Sequence, residues 1–128
     1  KQVRDWLHVL DHCEALKIIL EKSEIGEVYN IGAENEMQNI DLIMFIGSIL
    51  ERHHLKDNFN SQDFIDYVQD RPGHDKRYSI NSKKVQTTLG WEPKISFKDG
   101  IEETIKWYLE NPEWVDNIYK KITTNEGK

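Results

Sequence analysis

The densest grouping of chemically competent side chains runs Asp70-Arg71-Pro72-Gly73-His74-Asp75-Lys76-Arg77-Tyr78. It sets cations, a histidine and two carboxylates around a Pro-Gly turn. A planar guanidinium grips phosphate oxygens in bidentate fashion, which a point-charge ammonium does not. Gly73 beside it lets a ligand approach the backbone. The same composition also suits a solvated turn laced with surface ion pairs. Arg4-Asp5-Trp6 is a second candidate, with Arg4 as a phosphate ligand and Asp5 holding it in place; the alternative is a local ion pair at a strand start. Asn39 is the third. Asn is among the best helix N-caps, and a cap's turn can face a ligand as well.

Several chemistries are missing. A dinucleotide fingerprint needs closely spaced glycines between a strand and a helix, so that backbone amides reach a pyrophosphate. The seven glycines, at 26, 32, 47, 73, 90, 100 and 127, are never spaced that way. None of the five tyrosines has a lysine four positions later, and there is no nucleophile elbow or phosphate loop. His8, Asp11 and His12 lack the spacing of a zinc-protease helix, and His53-His54 are adjacent, so they do not share a helix face. No metal site is expected.

The elements that must position these residues follow from periodicity. Residues 3 to 9 are rich in β-branched and aromatic types and predict a short strand or extended segment. Asp11 and Glu14 form a capping-box pattern ahead of a helix over 12–22. Residues 27 to 32 read as a short buried strand, 33 to 38 as a polar loop. Asn39 caps a second helix with Asp41 in its first turn and an apolar face of Leu42, Ile43, Ile46, Ile49 and Leu50. A loop over 52–62 precedes a strand over 64–68, the Asp70–His74 turn and an extended segment over 77–80. Ser82 caps a short helix that Gly90 stops. Ser96 and Asp99 cap the longest helix, over 97–110, with the stripe Phe97, Ile101, Ile105, Tyr108 and Leu109. Asn111-Pro112 opens a last helix, and 123–128 is expected to fray. Trp91, Trp107, Tyr108 and Trp114 are expected to pack in the core.

The 128 residues make one domain, over 1–122, long enough to bury a core without staples. With 38% hydrophobic and 31% charged residues the chain is globular rather than disordered. A net charge of -6 argues against nucleic-acid binding. No run approaches ~20 apolar residues, so no membrane span is expected. The single cysteine, Cys13, fits a reducing compartment. The N-terminus Lys1-Gln2-Val3-Arg4-Asp5-Trp6 reads like a chain entered in mid-fold.

Arg4-Asp5-Trp6-Leu7-His8-Val9, Asp11-His12 and Gly26-Glu27-Val28-Tyr29-Asn30-Ile31-Gly32 together resemble the extended short-chain dehydrogenase/reductase superfamily. Asn35-Glu36 with Asn39, the Asp70–Tyr78 segment, Leu89-Gly90-Trp91-Glu92-Pro93 and Trp107-Tyr108-Leu109 narrow the resemblance to the dTDP-glucose 4,6-dehydratases. The resemblance implies an α/β fold: the C-terminal, substrate-binding portion of such an enzyme, with short strands and four to five helices. It implies an NAD-dependent, cytoplasmic lyase. That enzyme oxidises C4 of a nucleotide-diphosphate sugar, eliminates water across C5 and C6 and returns the hydride to C6. NAD and the catalytic Tyr, Lys, Asp and Glu belong to an N-terminal portion, so no catalytic residue is expected here and this chain alone is expected to be inactive. By motif match, Arg4 and Arg71 bind the pyrophosphate, while Asn39, Asp70, Pro72, Gly73 and His74 line the nucleotide side. A homodimer is expected of the full-length protein and a monomer of this piece. The rival readings are a UDP-glucose 4,6-dehydratase, another nucleotide-sugar epimerase or decarboxylase, and a stand-alone interaction module.

Overall fold

The computed structural model describes residues 2–53 and 59–125. The fold is α/β. Two short strands, β1 (Val3–Asp5) and β2 (Glu36–Gln38), accompany five α-helices: α1 (Val9–Lys22), α2 (Asn39–Arg52), α3 (Lys83–Leu89), α4 (Phe97–Glu110) and α5 (Pro112–Asn125). A single 3-10 turn covers Ser61–Phe64. β1 and β2 are antiparallel, with Arg4 opposite Met37 and Asp5 opposite Glu36. On the other edge of β1, Val3 N–H donates to Lys76 O at 2.7 Å and Tyr78 N–H to Val3 O at 3.1 Å. β1 is therefore the central rung, with β2 on one edge and the residue 76–78 segment on the other.

The strands are where expectation and structure part. β1 ends at Asp5 rather than running to residue 9, because His8 already caps α1: its Nδ1 accepts from Leu10 N–H at 3.4 Å. Asp11 is consequently not a cap. It sits buried in the first turn, accepting Lys94 N–H at 3.1 Å and Ile95 N–H at 3.0 Å. That carboxylate ties α1 to the entry of α4. Residues 36–38, read as loop, form β2 because β1 offers them a partner. Residues 27–32, read as strand, find no ladder partner among the described residues and stay extended. Residues 64–68 are likewise no strand: Phe64 closes the 3-10 turn, and Tyr67 and Val68 are exposed.

Asn39 is the first residue of α2, not its cap; Gln38 holds the cap position and makes no side-chain bond there. Ser82 also fails to cap by its hydroxyl. Asn81 Oδ1 takes Lys83 N–H at 3.0 Å instead, and Ser82 is buried, accepting from Gln86 Nε2 at 2.8 Å. Gly90 ends α3 at φ 72°. Ser96 caps α4 as read, accepting Asp99 N–H at 3.2 Å, although α1, α2, α4 and α5 all have 14 residues. α5 continues to Asn125, past the boundary read at 122, and residues 126–128 lie outside the described residues, as does His54.

One core joins Ala15 of α1, Val85 of α3 and Trp91, all 0–1% exposed, with the Trp91 indole donating to Asp11 O at 3.2 Å. A second contact sets α2 on α4, where Leu42, Ile49 and Ile105 are buried and Phe45 meets Phe97 at 5.9 Å. Trp107, Tyr108 and Trp114 do not join either. They pack edge to face on one another where α5 meets α4, and stay 43–49% exposed.

Candidate functional site

Six of the seven residues singled out as candidates are drawn together by β1 and the Asp70–His74 turn. Arg71 O accepts from His74 N–H at 3.3 Å across Pro72-Gly73, and Gly73 has φ 73°. Pro second and a left-handed Gly third is the type II pattern. The turn is latched to β1 through side chains. Arg4 Nη2 lies 2.9 Å from His74 Nε2 and donates to Asp75 O at 3.2 Å; Nη1 donates to Val3 O at 2.7 Å. The Arg4 guanidinium also lies 4.4 Å from the centroid of the Tyr78 ring, within cation–π range. Behind His74, its Nδ1 is 2.6 Å from Asp70 Oδ1, which also accepts Arg71 N–H at 2.9 Å. The His74 hydrogen bond holds the Asp70 carboxyl below its usual range. Asp75 in turn accepts the Tyr78 hydroxyl at 2.8 Å and pushes that phenol up.

Arg71 stands apart from this network. Its side chain is exposed at the turn, and among the described residues its guanidinium makes no hydrogen bond or ion pair. The cluster thus contains one arginine that builds the turn and one that the turn presents.

Asn39 enters through Gln2. Its N–H donates to Gln2 O at 2.9 Å, and Gln2 Nε2 donates to Asp70 Oδ2, so the start of α2 and the turn hang on one residue. Asn39 Oδ1 is buried without a hydrogen-bond partner. Such an acceptor is costly to leave unmade. Gln2 was not singled out from the sequence, and Tyr78 only as the last residue of the Asp70–Tyr78 segment. Their cue lay in strand alternation: Gln2, Arg4 and the residues opposite them share one face.

Alternation also overturns the expectation that Asp5 steadies Arg4. Adjacent strand residues point to opposite faces. Asp5 accepts the N–H groups of Ala33 at 3.0 Å, Glu34 at 3.3 Å and Asn35 at 2.8 Å. Gly32 is required beneath it, because a Cβ there would strike Asp5 and come within 2.8 Å of Ile80. Glu36 on β2 binds Arg77 in a fork, Oε2 to Nε at 2.6 Å and Oε1 to Nη2 at 2.7 Å.

A concavity of about 620 Å³ lies between residues 6–10 and α4. None of the seven candidates lines it, and its walls are largely apolar, so size and polar chemistry point to different places. The polar cluster carries the chemistry. Trp6 lines the concavity with a buried indole N–H that has no partner. Among the described residues no three metal-ligating side chains converge, and no helix is long and apolar enough to cross a membrane.

Comparison with known proteins agrees with this architecture. The chain is 46% identical over 119 residues to a dTDP-glucose 4,6-dehydratase of Xanthomonas campestris, covering 92% of this chain and 34% of that protein. It superposes on the dTDP-glucose 4,6-dehydratase of Bacillus anthracis in complex with NAD at TM-score 0.73 and 45% identity, over 88% of this chain and 33% of that one. With the Streptomyces venezuelae dTDP-glucose 4,6-dehydratase, solved with NAD and TYD bound, the TM-score is 0.76 at 36% identity, over 88% and 33%. The chain spans about a third of the length of the relatives it matches. The profile of the GDP-mannose 4,6-dehydratase family matches residues 1–104, and the chain belongs to that family.

Proposed function

We propose that this chain is the nucleotide-sugar-binding part of a dTDP-glucose 4,6-dehydratase. The observation that carries the reading is the Arg71 guanidinium, presented without a partner among the described residues on a turn that Arg4, His74 and Asp70 hold rigid. A fixed fork of N–H donors in a chain of net charge -6 suits a pyrophosphate, which long-range electrostatics would otherwise repel. Arg4 keeps its Nε–H and one Nη1–H for the same anion. Asn39, at the start of α2, would line the nucleotide side with Pro72 and Gly73. The names of the relatives and the presence of NAD and TYD in one of them support the same ligand class.

NAD does not fit the residues of this chain. α1 follows β1 through Trp6-Leu7-His8 and α2 follows β2 directly, so neither strand-to-helix junction carries the glycines a dinucleotide's phosphates need. NAD, and the proton-transferring side chains, are assigned to parts of the full-length enzyme beyond these 128 residues. The test is to titrate dTDP-glucose into the full-length protein and its Arg71→Ala variant. A loss of affinity with NAD binding kept is expected; equal affinities would reduce the turn to a solvated surface feature. This chain alone, supplied with NAD and dTDP-glucose, is expected to form no 4-keto-6-deoxy sugar, and product formation would reject the assignment.

A further inference from the structure

We infer that His74 is a positioning residue that holds Arg4, and with it the Arg71 turn, only as the neutral Nδ1-protonated imidazole, so that its protonation weakens nucleotide-sugar binding. The inference rests on the reading of the site as a nucleotide-sugar site and adds its regulation by pH. A guanidinium has five donors and no acceptor. At 2.9 Å from Arg4 Nη2, His74 Nε2 must therefore offer its lone pair. An ionised carboxylate only accepts, so at 2.6 Å from Asp70 Oδ1, Nδ1 must carry the proton. The tautomer is fixed from both sides.

Protonation separates the two contacts. The Asp70 bond survives, because Nδ1–H is present in both states. The Arg4 bond does not, because Nε2 then bears a hydrogen facing the Nη2 hydrogens of a second cation. The charged and titratable groups around the ring come from every neighbouring segment: Arg4 from β1, Asp70, Arg71 and Asp75 from the turn, and Tyr78 from the segment beside β1. The Asp75 carboxylate faces the Tyr78 hydroxyl, which donates to it at 2.8 Å. What then ties the tip of the turn to β1 is Gln2 on Asp70 and Arg4 on the Asp75 carbonyl. Arg71 is left on a looser mount.

The experiment uses the full-length protein and dTDP-glucose, whose two phosphates are both diesters and keep constant charge over this range. Affinity is measured at pH 8 and at pH 5.5. The wild type is expected to lose about tenfold, the loss of one hydrogen bond to a charged group. His74→Gln, whose amide oxygen accepts from Arg4 at every pH, is expected to give a flat profile. A flat wild-type profile, or equal slopes in both proteins, overturns the inference. Nitrogen-15 shifts of the His74 ring without ligand give an independent readout. They are expected to show protonated Nδ1 and bare Nε2 at pH 8, and the opposite tautomer overturns the inference while leaving the proposed function intact. If the tautomer is as expected but dTDP-glucose does not bind at pH 8, the proposed function falls instead.

Discussion

At the scale of single residues, two arginines that look equivalent in sequence are held differently. Among the described residues the Arg71 guanidinium makes no hydrogen bond or ion pair, whereas Arg4 spends Nη1 and Nη2 on Val3, His74 and Asp75. Hydrogen bonds to charged groups contribute roughly 1.5–3 kcal/mol. Arg71→Ala is therefore expected to weaken dTDP-glucose binding by about tenfold to a hundredfold, with Arg71→Lys a poor rescue because it lacks the planar fork. Arg4→Ala should fall in the same range through a different route, loosening the turn that carries Arg71. The double variant should then lose less than the product of the two, as coupled residues do, and calorimetric titration of the four proteins checks it. The Glu36–Arg77 fork is separable by pH. The Arg77 hydrogen bond, then one from Ser79, holds the Glu36 carboxyl below its ordinary 4.5. A depressed acid contributes stability that is complete above its unfolded pKa and is lost as pH falls through the folded one. Wild type should exceed Glu36→Gln in thermal stability at pH 7, and the gap should shrink as pH falls below the ordinary carboxylate range. A gap that persists in acid would mean that the fork acts by shape and not by charge.

At the scale of elements, the sequence was legible where the signal is local. The Ser96 cap, the Gly90 stop, the Pro112 start and the Pro-Gly turn each depend on a few neighbouring residues, and all stand where the sequence puts them. The strands were not legible, because a strand is defined by its partner. Residues 36–38 carry Glu, Met and Gln with little β-propensity, yet they pair because β1 lies alongside. Residues 27–32 carry the better pattern and pair with nothing among the described residues. For the site, the residue types of Arg4, Asn39 and Asp70–His74 were readable, but the Arg4–His74 contact, spanning 70 positions, was not. Asp11 shows the same limit. Its position suggested a cap, while its carboxylate serves two N–H groups more than 80 residues away. Asp11→Ala leaves both donors without their acceptor beside the Trp91 core. It should destabilise the fold by about 2–4 kcal/mol, the scale of losing two charge-assisted bonds and burying unmade donors. Asp11→Asn, keeping one acceptor oxygen, should lose less. Urea melts of the three proteins would show the order, and a loss under about 1 kcal/mol for the alanine variant would place the α1–α4 tie elsewhere.

At the scale of the molecule, α1 and the segment after it carry a run of exposed apolar side chains that the described residues leave uncovered. Val9, Leu10, Leu16 and Leu20 of α1 are 46–87% exposed, Ile25 is fully exposed and Val28 is 76% exposed. The adjoining extended segment makes the same point through its backbone. Among the described residues the N–H groups of Val28, Tyr29, Asn30 and Ile31 have no partner, although Lys84 pins the segment by binding Glu27 at 2.5 Å and Val28 O at 2.7 Å. A row of unpaired groups on a segment rich in Val, Tyr and Ile has the composition and the free backbone that a neighbouring strand would pair with. The relatives are about three times as long as this chain, so a full-length protein has ample chain to supply the neighbouring strand. Amide hydrogen exchange tests this directly. In the full-length protein the amides of residues 28–31 should be protected as strongly as those of the Ala15–Trp91 core, because a paired interior strand opens only with the domain. In the 128-residue chain the same four amides should exchange fast while the α4 amides stay protected. Fast exchange in both proteins would mean that the segment is a loop by nature and that its strand-like composition serves packing against Lys84 and Val85 alone.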